Sequence, residues 1–180
     1  MTGDINCEPP CYEYGFSVSI NADGDIVAVS DVGDYSEYGY VKVFQNISGD
    51  WIQIGQTIFN DGYNEEFGRS ISLNSAGNIL AIGSFHNNTM YARSAGFVKV
   101  YEYSSDTWIQ IGDDIMGEWY GDRSGNSVSL NDAGNIIAIG APWNNAPWED
   151  DSHGQIRVYE NQNESWVQLG DDIDGDLPNY

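Results

Sequence analysis

The sequence predicts an all-β protein made of three tandem copies of one four-stranded antiparallel unit. Three observations predict it. "GFSVSINADGDIVAVS" from Gly15 returns as "GRSISLNSAGNILAIGS" from Gly68 and as "GNSVSLNDAGNIIAIGAPW" from Gly125. A second landmark, Gly-x-(Val/Ile)-(Lys/Arg)-Val-aromatic, follows at Gly39, Gly96 and Gly154. A third, Trp-(Ile/Val)-Gln-(Ile/Leu)-Gly, starts at Trp51, Trp108 and Trp166, 57 and 58 residues apart. A fixed period of this kind is the signature of a repeat architecture. No stretch carries the 3.6-residue periodicity and end signals of a helix. The repeats run over about 14–66, 67–123 and 124–180 of a single repeat domain.

Each unit divides into four strands. Strand a, Ser17–Ile20 in the first unit, alternates in period two. "NADGD", "NSAGN" and "NDAGN" follow, with Gly24, Gly77 and Gly134 placed where a type I hairpin turn needs a left-handed residue. Strand b, Ile26–Val29 and its copies "ILAIG" and "IIAIG", is a continuous apolar run, as expected of a strand covered on both faces. Strand c, Tyr40–Phe44, sends Val41 and Val43 to one side and Tyr40, Lys42 and Phe44 to the other. Lys42, Lys99 and Arg157 share one repeat position, so half of the 6 basic residues fall there. They are expected to neutralise nearby acids or to run along a blade surface, the stem covering apolar area. Strand d begins at the repeated Trp.

The charge narrows the partners. With 28 acidic against 6 basic residues the net charge is -22. Nucleic acid is a poor partner, because its affinity comes from Lys and Arg neutralising phosphates, and anionic membrane surfaces are disfavoured alike. No apolar run reaches the ~20 residues of a membrane span. The opening "MTGDINCEPPCYEYG" lacks the basic and apolar regions of a signal peptide. Cys7 and Cys11 flank Pro9 and Pro10, close enough to bridge a tight loop; as a Cys-x3-Cys metal half-site they lack a completing pair.

The combined motifs "FGRSISLNSAGNILAIGS", "GQIRVYE" and "WVQLGDDIDGD" resemble FG-GAP-type repeats, and the resemblance covers essentially the whole chain. It implies that each unit is one four-stranded blade of a β-propeller, of the kind found in integrin α-chain heads and large surface proteins. Integrin-type repeats often carry a calcium loop. Here the equivalent hairpins are too short and too poor in carboxylates for the 6–8 oxygens calcium prefers. Propellers usually have about 4–8 blades, so three blades leave exposed edges that recruit partners. A β-trefoil or β-prism, each with pseudo-threefold closure, is the alternative that removes those edges.

Several candidate sites have a structural reading beside the chemical one. Ser17, Ser70 and Ser127 nearly spell a nucleophile elbow, but they open strands and no helix follows, so they are expected to bond turns or strands. His86 and His153 have no metal spacing. The variable b–c loops are where binding residues concentrate. The third is richest, with Trp143, Asn144, Asn145, Trp148, Asp150 and Asp151. Flat aromatics beside amides and carboxylates suit sugar rings, a protein interface, or packing within the loop itself. Two acidic connectors, Asp113, Asp114, Glu118 and Asp122, then Asp171, Asp172, Asp174 and Asp176, could share Ca2+ or form a solvated rim. Asn46, Asn87 and Asn163 head N-glycosylation sequons.

The expected function is a non-enzymatic extracellular or cell-surface structural or adhesive protein. It would self-associate into an oligomer or filament through strand edges and termini. The alternative is a carbohydrate- or protein-binding module using the aromatic loop over 143–153.

Overall fold

A computed structural model of the chain describes residues 5, 12–33, 38–60, 66–85, 94–144 and 153–175. Cys7, Cys11, His86, Asn87, Asn145, Trp148, Asp150, Asp151 and Asp176 lie outside the described residues. Unit 1 contains β1 (Val18–Ile20), β2 (Ile26–Asp31), β3 (Tyr40–Ile47), β4 (Asp50–Gln53) and β5 (Ile58–Phe59). Unit 2 contains β6 (Ser70–Leu73), β7 (Ile79–Ser84), β8 (Phe97–Ser104), β9 (Thr107–Gln110) and β10 (Ile115–Met116). Unit 3 contains β11 (Ser127–Leu130), β12 (Ile136–Ala141), β13 (Gln155–Asn161), β14 (Trp166–Gln168) and β15 (Ile173–Asp174). Each unit is one antiparallel meander in which a pairs b, b pairs c, and c pairs d. These are three blade-like sheets, as the sequence predicts.

The fourth strand position is split, which the sequence reading did not anticipate. Gln53 pairs Phe44, but Ile58 then pairs Val41, so two extra residues loop out between β4 and β5. The same offset separates Gln110–Tyr101 from Ile115–Val98, and Gln168–Tyr159 from Ile156–Ile173. A glycine at φ +69, +75 or +79 (Gly55, Gly112, Gly170) begins each loop-out, a conformation that costs L side chains energy.

The a–b turns fold as their composition dictates. Asn74 Oδ1 accepts the N–H groups of Asn78 and Ile79 at 3.0 and 2.9 Å, and Asn21 does the same for Asp25 and Ile26. These side-chain bonds reinforce backbone bonds that close the same turns, such as Gly77 N–H to the Asn74 carbonyl at 3.0 Å.

Two cores fill the gaps between sheets. Ala28, Val41 and Val43 of unit 1 meet Ile71, Leu73, Leu80 and Ile82 of unit 2. Ile79, Ala81, Val98 and Val100 of unit 2 meet Ile137, Ile139 and Tyr159 of unit 3. The alternation along β7 therefore feeds opposite cores, and every residue of β7 is buried. β12, with almost the same sequence, alternates between buried and half-buried. The two-sided burial expected of strand b holds fully only for the middle sheet.

Sheets stack through their first strands, β1 beside β6 and β6 beside β11. Unit 1 and unit 3 each keep one apolar face uncovered. Val18 and Ile20 are 64% and 58% exposed, whereas their counterparts Ile71 and Leu73 are 7% each. Ile156 and Ile173 are 44% and 57% exposed, against 0% and 5% for Val98 and Ile115. The array is open at both ends. The pseudo-threefold closure of a trefoil or prism is not the arrangement found: such closure would have buried these faces.

Candidate functional site

Side chains that cross the two junctions repeat from unit to unit. Ser19 Oγ accepts the Leu73 N–H at 2.9 Å, and Ser72 Oγ accepts the Leu130 N–H at 3.0 Å. The Trp108 indole N–H donates to the Ile54 carbonyl at 3.2 Å, and that of Trp166 to the Ile111 carbonyl at 3.0 Å. Each indole lies where the preceding unit has a glycine: a Cβ on Gly55 would meet Trp108 Cδ1 at 2.6 Å, and one on Gly112 would meet Trp166 Cδ1 at 2.9 Å. The repeated Trp and Trp-x-x-x-Gly spacing are therefore the two halves of one joint, plug and socket. Ser70, expected to bond a turn or strand, donates across the second junction to the Gly125 carbonyl at 2.8 Å. Ser17 contributes its N–H to Ser30 Oγ at 3.0 Å within its own sheet.

The first joint has an additional clasp. Gln56 Nε2 donates to the Trp108 carbonyl at 2.7 Å, and Gln56 Oε1 accepts the Trp108 N–H at 3.0 Å. Asp113 holds the equivalent place at the second joint. Asp is one methylene shorter and, ionised, has no donor. There an open cleft of about 250 Å³ appears, lined by Asp113, Asp114, Ile115, Met116, Tyr159, Ser165 and Trp166. Asp113→Gln is expected to close this cleft and raise stability by about 0.5–1.5 kcal/mol, the net value of a typical hydrogen bond. Urea unfolding measures it; an unchanged or lower midpoint would show that the clasp does not transfer.

The basic residues at the strand-c repeat position all lie over ring faces, and two of them also meet acids. Lys42, Lys99 and Arg157 each sit 5.5–5.7 Å from a ring centroid, of Tyr40, Phe97 and Tyr159 respectively. Lys99 also lies 3.8 Å from Asp114, and Arg157 lies 3.5 Å from Glu118. Arg157 is buried and additionally donates to the Met116 carbonyl at 3.0 Å.

The b–c side of the array carries a stack the sequence did not reveal. Arg69 lies between the rings of Phe16 and Phe85, 5.0 and 4.9 Å from their centroids. Arg123 lies between Phe85 and Trp143, at 5.2 and 4.8 Å. Cation–π contacts of this kind contribute roughly 0.5–2 kcal/mol each, more as water is excluded. The stack joins all three units. Trp143 forms its end and is 53% exposed. Two of its members, Arg69 and Arg123, occupy different repeat positions, one after Gly68 and one before Gly125, so periodicity could not pair them.

Asn144 sits beneath rather than on the surface. It is buried, its side-chain amide donates to Gln155 Oε1 at 3.4 Å, and its carbonyl accepts the N–H groups of His153 and Gly154 at 3.2 Å each. Gln155 Nε2 in turn reaches Asp172 and Asp174 at 3.0 and 3.3 Å. Carboxylates of the acidic connectors are thus engaged by amides or cations: Asp114 by Gln110 Nε2 at 2.8 Å and by Lys99, Glu118 by Arg157, and Asp172 and Asp174 by Gln155. Among the described residues no three or more His, Cys, Asp or Glu are grouped to hold a metal ion. Of the sequon residues, Asn163 is exposed, while Asn46 is half-buried with its side chain accepting the Gly49 N–H at 3.0 Å.

Asp122 is fully buried. Its Oδ2 accepts the N–H groups of Glu118 and Trp119 at 3.1 and 2.7 Å, and its Oδ1 has no hydrogen-bond partner among the described residues. Burial raises its pKa from the ordinary carboxylate value; the Trp119, Asn144 and Glu118 hydrogen bonds and the Arg157 charge only partly offset this. An acid with a raised folded pKa favours the folded state when protonated. Its contribution is greatest below the unfolded pKa and is lost as pH rises through the folded one. Asp122→Asn keeps an acceptor for both N–H groups and removes the buried charge. The variant is expected to melt higher than wild type at pH 7, with the gap narrowing as pH falls towards 4. Thermal melts across that range test it, and a variant that melts lower at pH 7 refutes it.

No family model and no curated protein matches the chain. Solved structures do. One is a provisionally assigned 6-phosphogluconolactonase from Bacteroides uniformis, with TM-score 0.58 and 17% identity, over 89% of this chain and 40% of that one. Another is hydrazine synthase from Kuenenia stuttgartiensis, with TM-score 0.53 and 14% identity, over 84% of this chain and 41% of that one. Both neighbours are β-propeller-like. This likeness shows the fold: the three sheets are blades of a β-propeller-like array. The chain spans about two-fifths of the length of these neighbours.

Proposed function

We propose that this chain is a non-enzymatic structural repeat protein that self-associates through its terminal blades, as FG-GAP-type surface repeats would in an adhesive or scaffolding layer outside the cell. One observation carries the reading. Residues that are buried or half-buried at the internal junctions have their counterparts exposed on the two end faces: Val18 and Ile20 at one end, Ile156 and Ile173 at the other. Apolar surface presented in this way is a mark of an interaction site. Covering it would release roughly 25 cal/mol for each Å² removed from water. The sequence reading assigned association to strand edges; the exposed apolar residues favour the blade faces instead.

The charge sets the conditions. At a net charge of -22, copies repel at low salt. Association is expected to strengthen as ionic strength shortens the Debye length from ~30 Å at 0.01 M to ~8 Å at 0.15 M. Light scattering on the 180-residue chain tests this, with a single chain weighing 19.9 kDa. A mass above one chain, rising with salt, supports the reading. A single-chain mass at every salt and calcium concentration refutes it.

A second reading rests on Trp143. Its exposed ring, held flat by Arg123, is suited to stacking against the C–H face of a sugar or to anchoring a protein partner. Glycan-array binding lost in Trp143→Ala would move this reading ahead of the first.

A further inference from the structure

We infer that the end faces join head to tail, unit 3 of one copy receiving unit 1 of a second copy, and that two copies close into a six-blade ring. The inference rests on the self-association proposed above and specifies its partner and register. It follows from what is left over at each end when the two internal joints are compared with the ends.

At the tail, Gly170 is the third member of the Gly55 and Gly112 series. A Cβ added there would meet nothing within 4 Å, whereas the other two sockets hold Trp108 and Trp166. Leu169, which precedes it, corresponds to Ile54 and Ile111, whose carbonyls accept the indole N–H groups. Ser129 corresponds to Ser19 and Ser72 and is exposed. Among the described residues, the tail therefore presents an empty socket, the carbonyl position beside it and a hydroxyl.

At the head, the matching halves are present. Trp51 is the first member of the Trp108 and Trp166 series and is half-buried, with no preceding blade among the described residues to receive its indole. Ile20 corresponds to Leu73 and Leu130, whose N–H groups donate to the serines of the preceding unit. Gly24 completes the match: a Cβ on Gly77 or Gly134 would collide with Ile26 or Ile79 of the preceding unit at 2.8 Å, but one on Gly24 would only touch its own Ile20 at 4.0 Å. Ile136, the counterpart of Ile26 and Ile79, stands half-exposed at the tail. Each vacancy at one end has its filler at the other, in the register already used twice inside the chain.

Such a contact joins two different surfaces, so it either closes a ring or runs on as a filament. Propellers close with about 4–8 blades. Two copies of the three-blade, 180-residue chain supply six; three copies of it would supply nine, outside that range.

Two double variants test the inference. The head variant carries Val18→Asn and Ile20→Asn; the tail variant carries Ile156→Asn and Ile173→Asn. All four side chains are exposed in the single chain, and Asn adds no charge, so neither folding nor repulsion should change. Burying an unpaired amide at the joint costs roughly 1–3 kcal/mol on protein scales, so two per face weaken it by about 30-fold or more. Light scattering and sedimentation are expected to give a two-copy mass for wild type and a one-copy mass for each variant alone. An equimolar mixture is expected to form a one-to-one complex, because it still holds one intact tail and one intact head. Variants that associate like wild type would place the contact on another surface and overturn the register while sparing self-association. A mixture that stays monomeric would overturn the head-to-tail pairing. A wild-type filament or a mass above two copies would overturn the ring. Wild type that remains a single chain would remove the underlying reading itself.

Discussion

Replacing Trp108 with Ala will lower the stability of the chain by about 3–5 kcal/mol, the range for truncating a buried Trp. The indole is only 2% exposed and packs 5.1 Å from the Tyr103 ring. It fills the space over Gly55 and donates to the Ile54 carbonyl. Truncation leaves a cavity at the first joint and a half-buried carbonyl without its donor, two losses that add. A domain is held by only about 5–15 kcal/mol in all, so about a fifth or more of the total stands on this side chain. Trp51→Ala is the internal comparison. It occupies the same repeat position but has no preceding blade among the described residues, and its loss in dilute single chains should be about 1 kcal/mol or less. Urea midpoints for the two variants measure the difference. Equal losses would mean that the repeated Trp serves its own sheet rather than the joint.

That contrast also shows how far the sequence could be read. Period, strand order and turn chemistry were legible because every unit needs the same local devices: an Asn that bonds back to the strand, a glycine at positive φ, an alternating strand c. What each device does for its neighbour was not. The Trp and the glycine four residues after it sit in one motif, yet the glycine receives the indole of the next unit, so the functional pair lies more than 50 residues apart. The same holds for Ser19 and Ser72, whose hydroxyls reach forward to Leu73 and Leu130.

Burial separates β7 from β12 although "ILAIG" and "IIAIG" are nearly identical. Position in the array decides it, not composition. β5, β10 and β15 contain two residues each, below the length at which alternation can register. Only the recurrence of Ile58, Ile115 and Ile173 after the looped-out glycine hinted at them. In the aromatic loop, Trp143 is as exposed as a binding residue should be. Asn144 is instead committed to holding the loop against Gln155, a role visible only once β13 places Gln155 beneath it.

Gly96→Ala should cost about 3 kcal/mol or more and detach unit 3 from unit 2. Two effects combine at this residue. Its φ is +79, where an L side chain is strained. A Cβ there would also overlap the Ser124 carbonyl oxygen and approach the Ser124 nitrogen to 2.7 Å. Both obstacles are backbone, so no rotamer change relieves them. The backbones meet because Gly96 bridges Ser124 in parallel, flanked by Ser124 N–H to the Ala95 carbonyl at 2.8 Å and Arg123 N–H to the Ser94 carbonyl at 3.1 Å. Forcing them apart breaks this short ladder and pulls on the core of Val98, Val100, Ile137 and Ile139. Gly15→Ala separates the two effects. Its φ is +89, but a Cβ there meets nothing within 4 Å, so only the backbone strain of about 1–2 kcal/mol remains. Hydrogen exchange reads the location of the damage as well as its size. In Gly96→Ala, amides of β11 and β12 should lose protection ahead of those of β2 and β3. Uniform loss, or equal destabilisation at Gly15 and Gly96, would mean that strain at the glycine rather than contact between blades sets the cost, and the joints would then not be what holds the array together.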